Sequence, residues 1–146
     1  MAKQTLKQFQ TNTLGKTISG WSRTGGQCVD YVRKYIQLCL IGNTTDRTLG
    51  WISGGNAHDF FHNANPKYFK KIRNSPTYVP KPGTIVVLNH GTYGHVFIIR
   101  GDVKSTVRLM YTIEQNWSWP RHVTKEAHRF VELIGFLEPI VLPKVA

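Results

Sequence analysis

The stretch Thr84-Ile85-Val86-Val87-Leu88-Asn89-His90-Gly91-Thr92-Tyr93-Gly94-His95-Val96-Phe97-Ile98-Ile99-Arg100-Gly101 changes the periodicity of the chain. Two apolar runs of four, Ile85 to Leu88 and Val96 to Ile99, flank the turn signal Asn89-His90-Gly91, which reads as two strands over 84–89 and 95–101. Further strands are expected over 107–116 and 128–137, separated by turns at Gly101-Asp102 and Trp119-Pro120. Before this stretch the period is helical: Val29, Val32, Ile36, Cys39 and Leu40 recur along 27–40, and Gly42-Asn43 closes the segment. A second helix is expected over 57–63, after Gly54-Gly55-Asn56. Residues 1–17 are polar, with a weak helical pattern from Leu6 to Phe9, and read as a lead-in or a fraying helix. Helices first and a run of strands afterwards imply an α+β fold, with N-terminal helices packed on a mostly antiparallel sheet.

The 146 residues fit a single domain, 1–146, and 40% of them are hydrophobic. A chain of this size buries roughly 68–70% of its unfolded surface, so it needs no metal or disulfide to hold a core. Apolar runs of four residues are far below the roughly 20 that a membrane span requires. The first twenty residues carry Lys3, Lys7 and Lys16 with no apolar run behind them, so no secretory signal is drawn and cytoplasmic synthesis is expected. Nineteen Lys and Arg against eight Asp and Glu give a formal charge of +11, which points to a polyanionic partner, either nucleic acid or a teichoic-acid-rich bacterial wall. Only Lys67, Lys70, Lys71 and Arg73 crowd together, and no nucleic-acid motif surrounds them.

Cys28 and Cys39 lie eleven residues apart on the expected helix, about 16 Å at its rise per residue, too far for a disulfide. Cys39 falls on the apolar stripe as a core residue. Cys28 opens the helix after Gly25-Gly26-Gln27, where free backbone N–H groups and the positive end of the dipole stabilise a thiolate. His95 begins a strand after Gly94, and Glu114 and Asn116 share one face at the end of another. Acyl transfer by cysteine needs a thiolate, an imidazole to carry the proton and a third group to fix the imidazole's tautomer; Cys28, His95 and Glu114 or Asn116 supply those parts.

Gly26-Gln27-Cys28-Val29-Asp30-Tyr31-Val32, Tyr93-Gly94-His95-Val96 and Ile113-Glu114-Gln115-Asn116-Trp117 occur in that order, and with them the chain resembles a CHAP domain over about residues 19–140. Gly54-Gly55-Asn56-Ala57 and Pro82-Gly83-Thr84 look like that family's connecting segments. The resemblance implies a papain-like fold and a cysteine- and histidine-dependent hydrolase cutting an amide bond of peptidoglycan, notably as a phage endolysin. It makes Cys28 the nucleophile, His95 the general base and then acid, Glu114 the residue orienting the imidazole, and Asn116 a further polar member of the site. Gln27 matches the position whose amide helps hold the oxyanion, with the Cys28 N–H as second donor. Trp117 is expected to wall the substrate cleft, and Asp30 reads as a first-turn carboxylate without a catalytic role.

Two departures qualify the resemblance. Some relatives carry acidic calcium ligands before the nucleophile, but Ser19-Gly20-Trp21-Ser22-Arg23-Thr24-Gly25 holds no carboxylate, so no metal or other cofactor is expected. No wall-binding module follows the catalytic segment, which suits a free-standing or truncated enzyme. The expected partner is the peptidoglycan of a Gram-positive wall with its anionic polymers, met by a monomer that touches neither nucleic acid nor membrane. The enzyme would wait in the host cytoplasm until released to the wall, or travel in the virion. Two alternatives stand beside this reading. One is a non-catalytic basic module binding wall or nucleic acid, with Trp117 and Trp119 as stacking platforms. The other is a zinc metallopeptidase built on His58 and His62, spaced i and i+4 in His58-Asp59-Phe60-Phe61-His62.

Overall fold

The computed structural model describes residues 2–47 and 50–146. Six strands, β1 (Phe69–Arg73), β2 (Ile85–Leu88), β3 (His95–Ile99), β4 (Met110–Gln115), β5 (Val123–His128) and β6 (Leu133–Pro139), form one antiparallel sheet in the order β1-β6-β2-β3-β4-β5. The helices α1 (Leu6–Thr13), α2 (Cys28–Tyr35) and α3 (Phe60–Asn63) precede it in the chain.

β2 and β3 are buried at every position, and this explains their unbroken apolar sequence. On one face Ile85, Val87, Val96 and Ile98 share a core with Tyr31, Val32 and Tyr35 of α2 and with Ile36 just after it; on the other, Val86, Leu88, Phe97 and Ile99 join Met110 and Phe136 in a second core. A sheet with helices on one face closes its opposite face with its own side chains, here helped by Tyr78 and Phe130.

Several expectations about single elements change. The polar lead-in contains α1, capped by Thr5, whose hydroxyl accepts from the Gln8 N–H while the Gln8 side chain accepts from the Thr5 N–H. Leu6 and Phe9 are fully buried, and Phe9 stacks on Tyr31 with ring centroids 5.0 Å apart. The Leu6 and Lys7 N–H groups donate to Lys144 and Val145 carbonyls at 2.7 and 2.9 Å, so the two ends of the chain meet. The helix expected over 27–40 is α-helical to Tyr35 and then widens into a π-helix over Ile36–Ile41, ended by Gly42 in the left-handed region (φ 76°). The helix over 57–63 divides into a 3₁₀ turn, Ala57–Asp59, and the short α3. The strand expected over 128–137 is two: β5 ends at His128 and β6 starts at Leu133, across a turn in which Glu132 has φ 56°. β1, whose Lys70, Lys71 and Arg73 belong to the basic cluster, is a strand on the sheet edge.

Candidate active site

Cys28 is the first residue of α2 and lies at the base of a cleft of about 930 Å³. The loop leading to it folds around Asp30, which is fully buried. Its Oδ1 accepts the N–H groups of Trp21 (3.0 Å) and Ser22 (2.7 Å), and its Oδ2 accepts the Gln27 N–H (3.0 Å) and the Ser22 hydroxyl. Ser19 Oγ takes the Gly26 N–H at 3.2 Å. Asp30 is therefore the clamp of the loop before Cys28 as well as a helix N-terminal carboxylate. Arg47 donates to the Gly20 carbonyl and lies 5.0 Å over the Trp21 ring, bracing the same loop from outside.

His95 stands at the start of β3, and the pairs Ile98↔Ile113 and Ile99↔Thr112 place it level with the far end of β4. Its Nε2–H donates to Glu114 Oε1 at 2.8 Å, which leaves Nδ1 as the ring nitrogen not held by the carboxylate, in a cleft that Cys28 also lines. Burial pulls the imidazolium down, but the hydrogen bonds to Cys28 and Glu114 outweigh it and push His95 up to about 9. Gly94 makes this strand start possible. It has φ 76°, and a Cβ there would lie 2.6 Å from the His58 backbone nitrogen, whose N–H donates to the Tyr93 carbonyl.

Glu114 has no solvent contact. Besides His95, it accepts His128 Nε2–H on both oxygens, at 3.0 and 2.8 Å, and the Thr112 hydroxyl. Burial opposes its charge, yet the hydrogen bonds from His128 and His95 hold its carboxyl below the usual carboxylate range. His128 is itself fixed, stacked on Phe97 (4.6 Å, 9° between planes) and edge-on to Trp117 (4.5 Å). The sequence reading missed His128 as a member of this group. By register it faces Met110, while Glu114 faces Thr124, so the pair meets only through side chains reaching along the sheet.

Asn116 adopts a left-handed backbone (φ 63°), and its Nδ2 donates to Gln27 Oε1 at 2.7 Å; Gln27 Nε2 in turn donates to Thr24 Oγ1 at 2.8 Å. Asn116 thus orients Gln27 rather than the imidazole. Trp117 lines the cleft with its ring 5.0 Å from that of His95. Cys39 is buried in the main core 3.9 Å from the Thr5 carbonyl, and burial pushes its thiol up to about 12. Both cysteines are free thiols. His58 sits in the 3₁₀ turn, 3.3 Å from Asp59, and His62 in α3; among the described residues no three His, Cys, Asp or Glu side chains come together to hold a metal.

A helix-start thiol and a strand imidazole backed by a buried carboxylate share one cleft here, and residues 18–116 match the family model described as CHAP domain. The chain belongs to the CHAP domain family. Among sequence relatives, this CHAP domain is 28% identical over 149 residues to endolysin PlyTW of Staphylococcus phage Twort (strain DSM 17442 / HER 48), covering 93% of the chain and 30% of that protein. It is 31% identical over 118 residues to endolysin LysK of Staphylococcus phage K, covering 77% of the chain and 22% of that protein. The chain thus spans less than a third of the length of these two relatives. The crystal structure of wild-type endolysin LysIME-EF1 aligns with all of the chain and 67% of its own at TM-score 0.69 and 25% identity. Ly7917 aligns with 93% of the chain and 63% of its own at TM-score 0.65 and 20% identity, a likeness of fold. The α+β architecture expected from the sequence is the one these two solved structures share.

Proposed function

We propose that this CHAP domain hydrolyses an amide bond of bacterial peptidoglycan by cysteine catalysis, as the lytic enzyme of a phage. The observation that carries the reading is the line Cys28, His95, Glu114 at the base of an open cleft, with Cys28 on a helix N-terminus. Cys28 Sγ, as thiolate, attacks the scissile carbonyl carbon while His95 holds the proton as imidazolium. The tetrahedral oxyanion is met by the Cys28 N–H and the Gln27 amide, which Asn116 and Thr24 keep in place. His95 Nδ1 then delivers its proton to the leaving amine, an acyl-enzyme remains, and a water activated by the neutral imidazole releases the acid and regenerates the thiol. Glu114 keeps Nε2 protonated throughout.

The endolysin relatives support a wall substrate, and their staphylococcal phage hosts support a Gram-positive one. The +11 charge supports attraction to anionic wall polymers, and host lysis after cytoplasmic synthesis fits the same source. A virion-borne enzyme would use the same chemistry. The domain acts as a monomer in this reading, as amidase or endopeptidase according to which amide reaches Cys28.

Cys28→Ala, shown to be folded by circular dichroism, abolishes clearing of a staphylococcal cell suspension, while Cys39→Ser retains the chemistry with lower stability. Undiminished lysis by Cys28→Ala would refute the mechanism. Mass spectrometry of wall digests identifies the bond from the new amino and carboxyl ends.

A further inference from the structure

The cations of this protein are sorted by type. Of eleven lysines and eight arginines, four arginines and no lysine line the cleft, and none of the eight Asp and Glu side chains does. The two carboxylates near it, Asp30 and Glu114, are fully buried and occupied by the loop and by the histidines. Arg33 is also occupied: it donates to the Ile52 carbonyl at 2.7 Å and to the Gly54 carbonyl, stacks over Phe60 at 4.9 Å, and so holds the far rim in place.

The other three arginines gather on the side of the nucleophile loop. Arg47 lies over Trp21 with its Nη2 on the Gly20 carbonyl and its other guanidinium nitrogens turned to no carboxylate among the described residues, and Arg23 is exposed within the loop. Arg121 is half-buried against Gly26, two residues before Cys28: a Cβ on Gly26 would lie 3.3 Å from Arg121 Cβ and 3.6 Å from its Cδ. Thr17 Oγ1 fixes the Arg121 carbonyl at 2.7 Å, so its backbone does not drift from the cleft. Among the described residues no carboxylate forms an ion pair with Arg23, Arg47 or Arg121. Across the cleft, Gly54, Gly55, Gly91, Thr92 and Gly94 carry no charge.

Resting on the reading above, we infer that the Arg23, Arg47 and Arg121 side of the cleft is a subsite for carboxylate groups of the wall peptide, so that an acidic stem peptide is the preferred substrate. Long-range attraction to a polyanion needs only positive charge, and the lysines outside the cleft supply it. A short anionic group held beside the reacting bond calls for the planar guanidinium fork, which takes a carboxylate through two parallel hydrogen bonds. Phosphate fits the same fork, but the placement of Arg121 two residues from Cys28 favours an anion carried on the chain whose amide is cut. With Arg33 committed to the carbonyls of the far rim, the three gathered arginines also orient the peptide, its acidic part on the Trp21–Gly26 side and its uncharged part against the glycines.

The test uses the catalytically inactive Cys28→Ala full chain and calorimetric titration. The probes are a synthetic stem tetrapeptide with free carboxylates, the same peptide with those groups as carboxamides, and a glycerol-phosphate oligomer. The free-acid peptide binds about tenfold more tightly than the amide. Adding Arg23→Gln and Arg121→Gln closes that gap to within about twofold. Arg121→Lys leaves an intermediate gap, and Lys70→Gln on the distant edge strand leaves the full one. Equal affinities for the two peptides, a gap that survives the arginine substitutions, no measurable binding of either peptide, or competition in which the phosphate oligomer displaces the acidic peptide from a tighter site would each overturn the inference. Hydrolysis by the Cys28 enzyme is assayed separately on both peptides. Absence of cleavage with the binding preference intact strikes at the proposed catalysis and not at the subsite.

Discussion

Glu114 takes hydrogen bonds from two imidazoles and a hydroxyl without touching water, so its neighbours decide where His95 points. Glu114→Gln keeps the shape but presents an amide to two N–H donors, and a loss of the order of 10²–10⁴ in turnover is expected. His128 contributes one step further out. His128→Phe lowers turnover by about tenfold, the lower end of what partners that orient functional imidazoles contribute, and moves the alkaline limb of the pH profile; His128→Gln, which restores a donor near Nε2, recovers most of both. A purely structural role would move melting temperature without moving the pH limb. The raised His95 pKa gives a signed prediction of its own. Because the folded chain keeps the imidazolium up to about 9 whereas an unfolded histidine releases it near 6.5, this contribution to stability is whole below 6.5 and is lost as pH rises through 9. Lysis falls over the same upper limb as the proton for the leaving amine disappears. Ring titration by NMR in Cys28→Ala finds His95 below 9, since a hydrogen bond that raises it is gone. Cys28, His95, Glu114, Gln27 and Asn116, which the structure brings together, could be picked out as candidates because each sits at or near an element end in a recognisable local sequence. His128 was not, because Val123 to His128 alternates without an apolar face and its partner lies four register positions away.

The interior elements announced themselves and the edges did not. β2 and β3 are apolar on both faces because both faces are covered, so their position follows from composition alone. β1 and β5 each have one free edge and an exposed face, and lysine, arginine and glutamate occupy it; in sequence they look like a basic cluster and a loop. α1 shows in the sequence only as the weak pattern from Leu6 to Phe9, since most of its surface is polar and its two large apolar anchors are three residues apart. At this scale the loop before α2 makes the sharpest prediction. Asp30→Ala leaves the N–H groups of Trp21, Ser22 and Gln27 without their acceptor, and a loss of about 3 kcal/mol is expected in chemical denaturation. Activity falls further than stability explains, because Gln27 and Cys28 are the last residues the clamp positions. Asp30→Asn, which retains one carbonyl acceptor, falls between the two.

For the molecule as a whole, the +11 is spread along the chain with two concentrations, an exposed lysine-rich edge at Lys67, Lys70, Lys71 and Arg73 and the arginine-lined cleft. Attraction of the exposed cations to an anionic wall acts over about 8 Å at physiological ionic strength and shrinks with added salt. Binding of the Cys28→Ala protein to purified walls therefore weakens steadily from low to high salt, and less steeply once teichoic acid is stripped; a flat response in a sedimentation assay would remove charge as the targeting force. The pairing of Leu6 and Lys7 with Lys144 and Val145 has a separate consequence. With head and tail already stitched side by side on the main core, the polypeptide is topologically close to a ring. A short glycine-rich bridge would close it, and reopening between the exposed Val103 and Lys104 would give a permuted protein that keeps all six strands and every residue of the cleft. It also means that cargo fused to either terminus departs from the same spot, so its attachment can be switched from one end to the other without re-aiming the cleft.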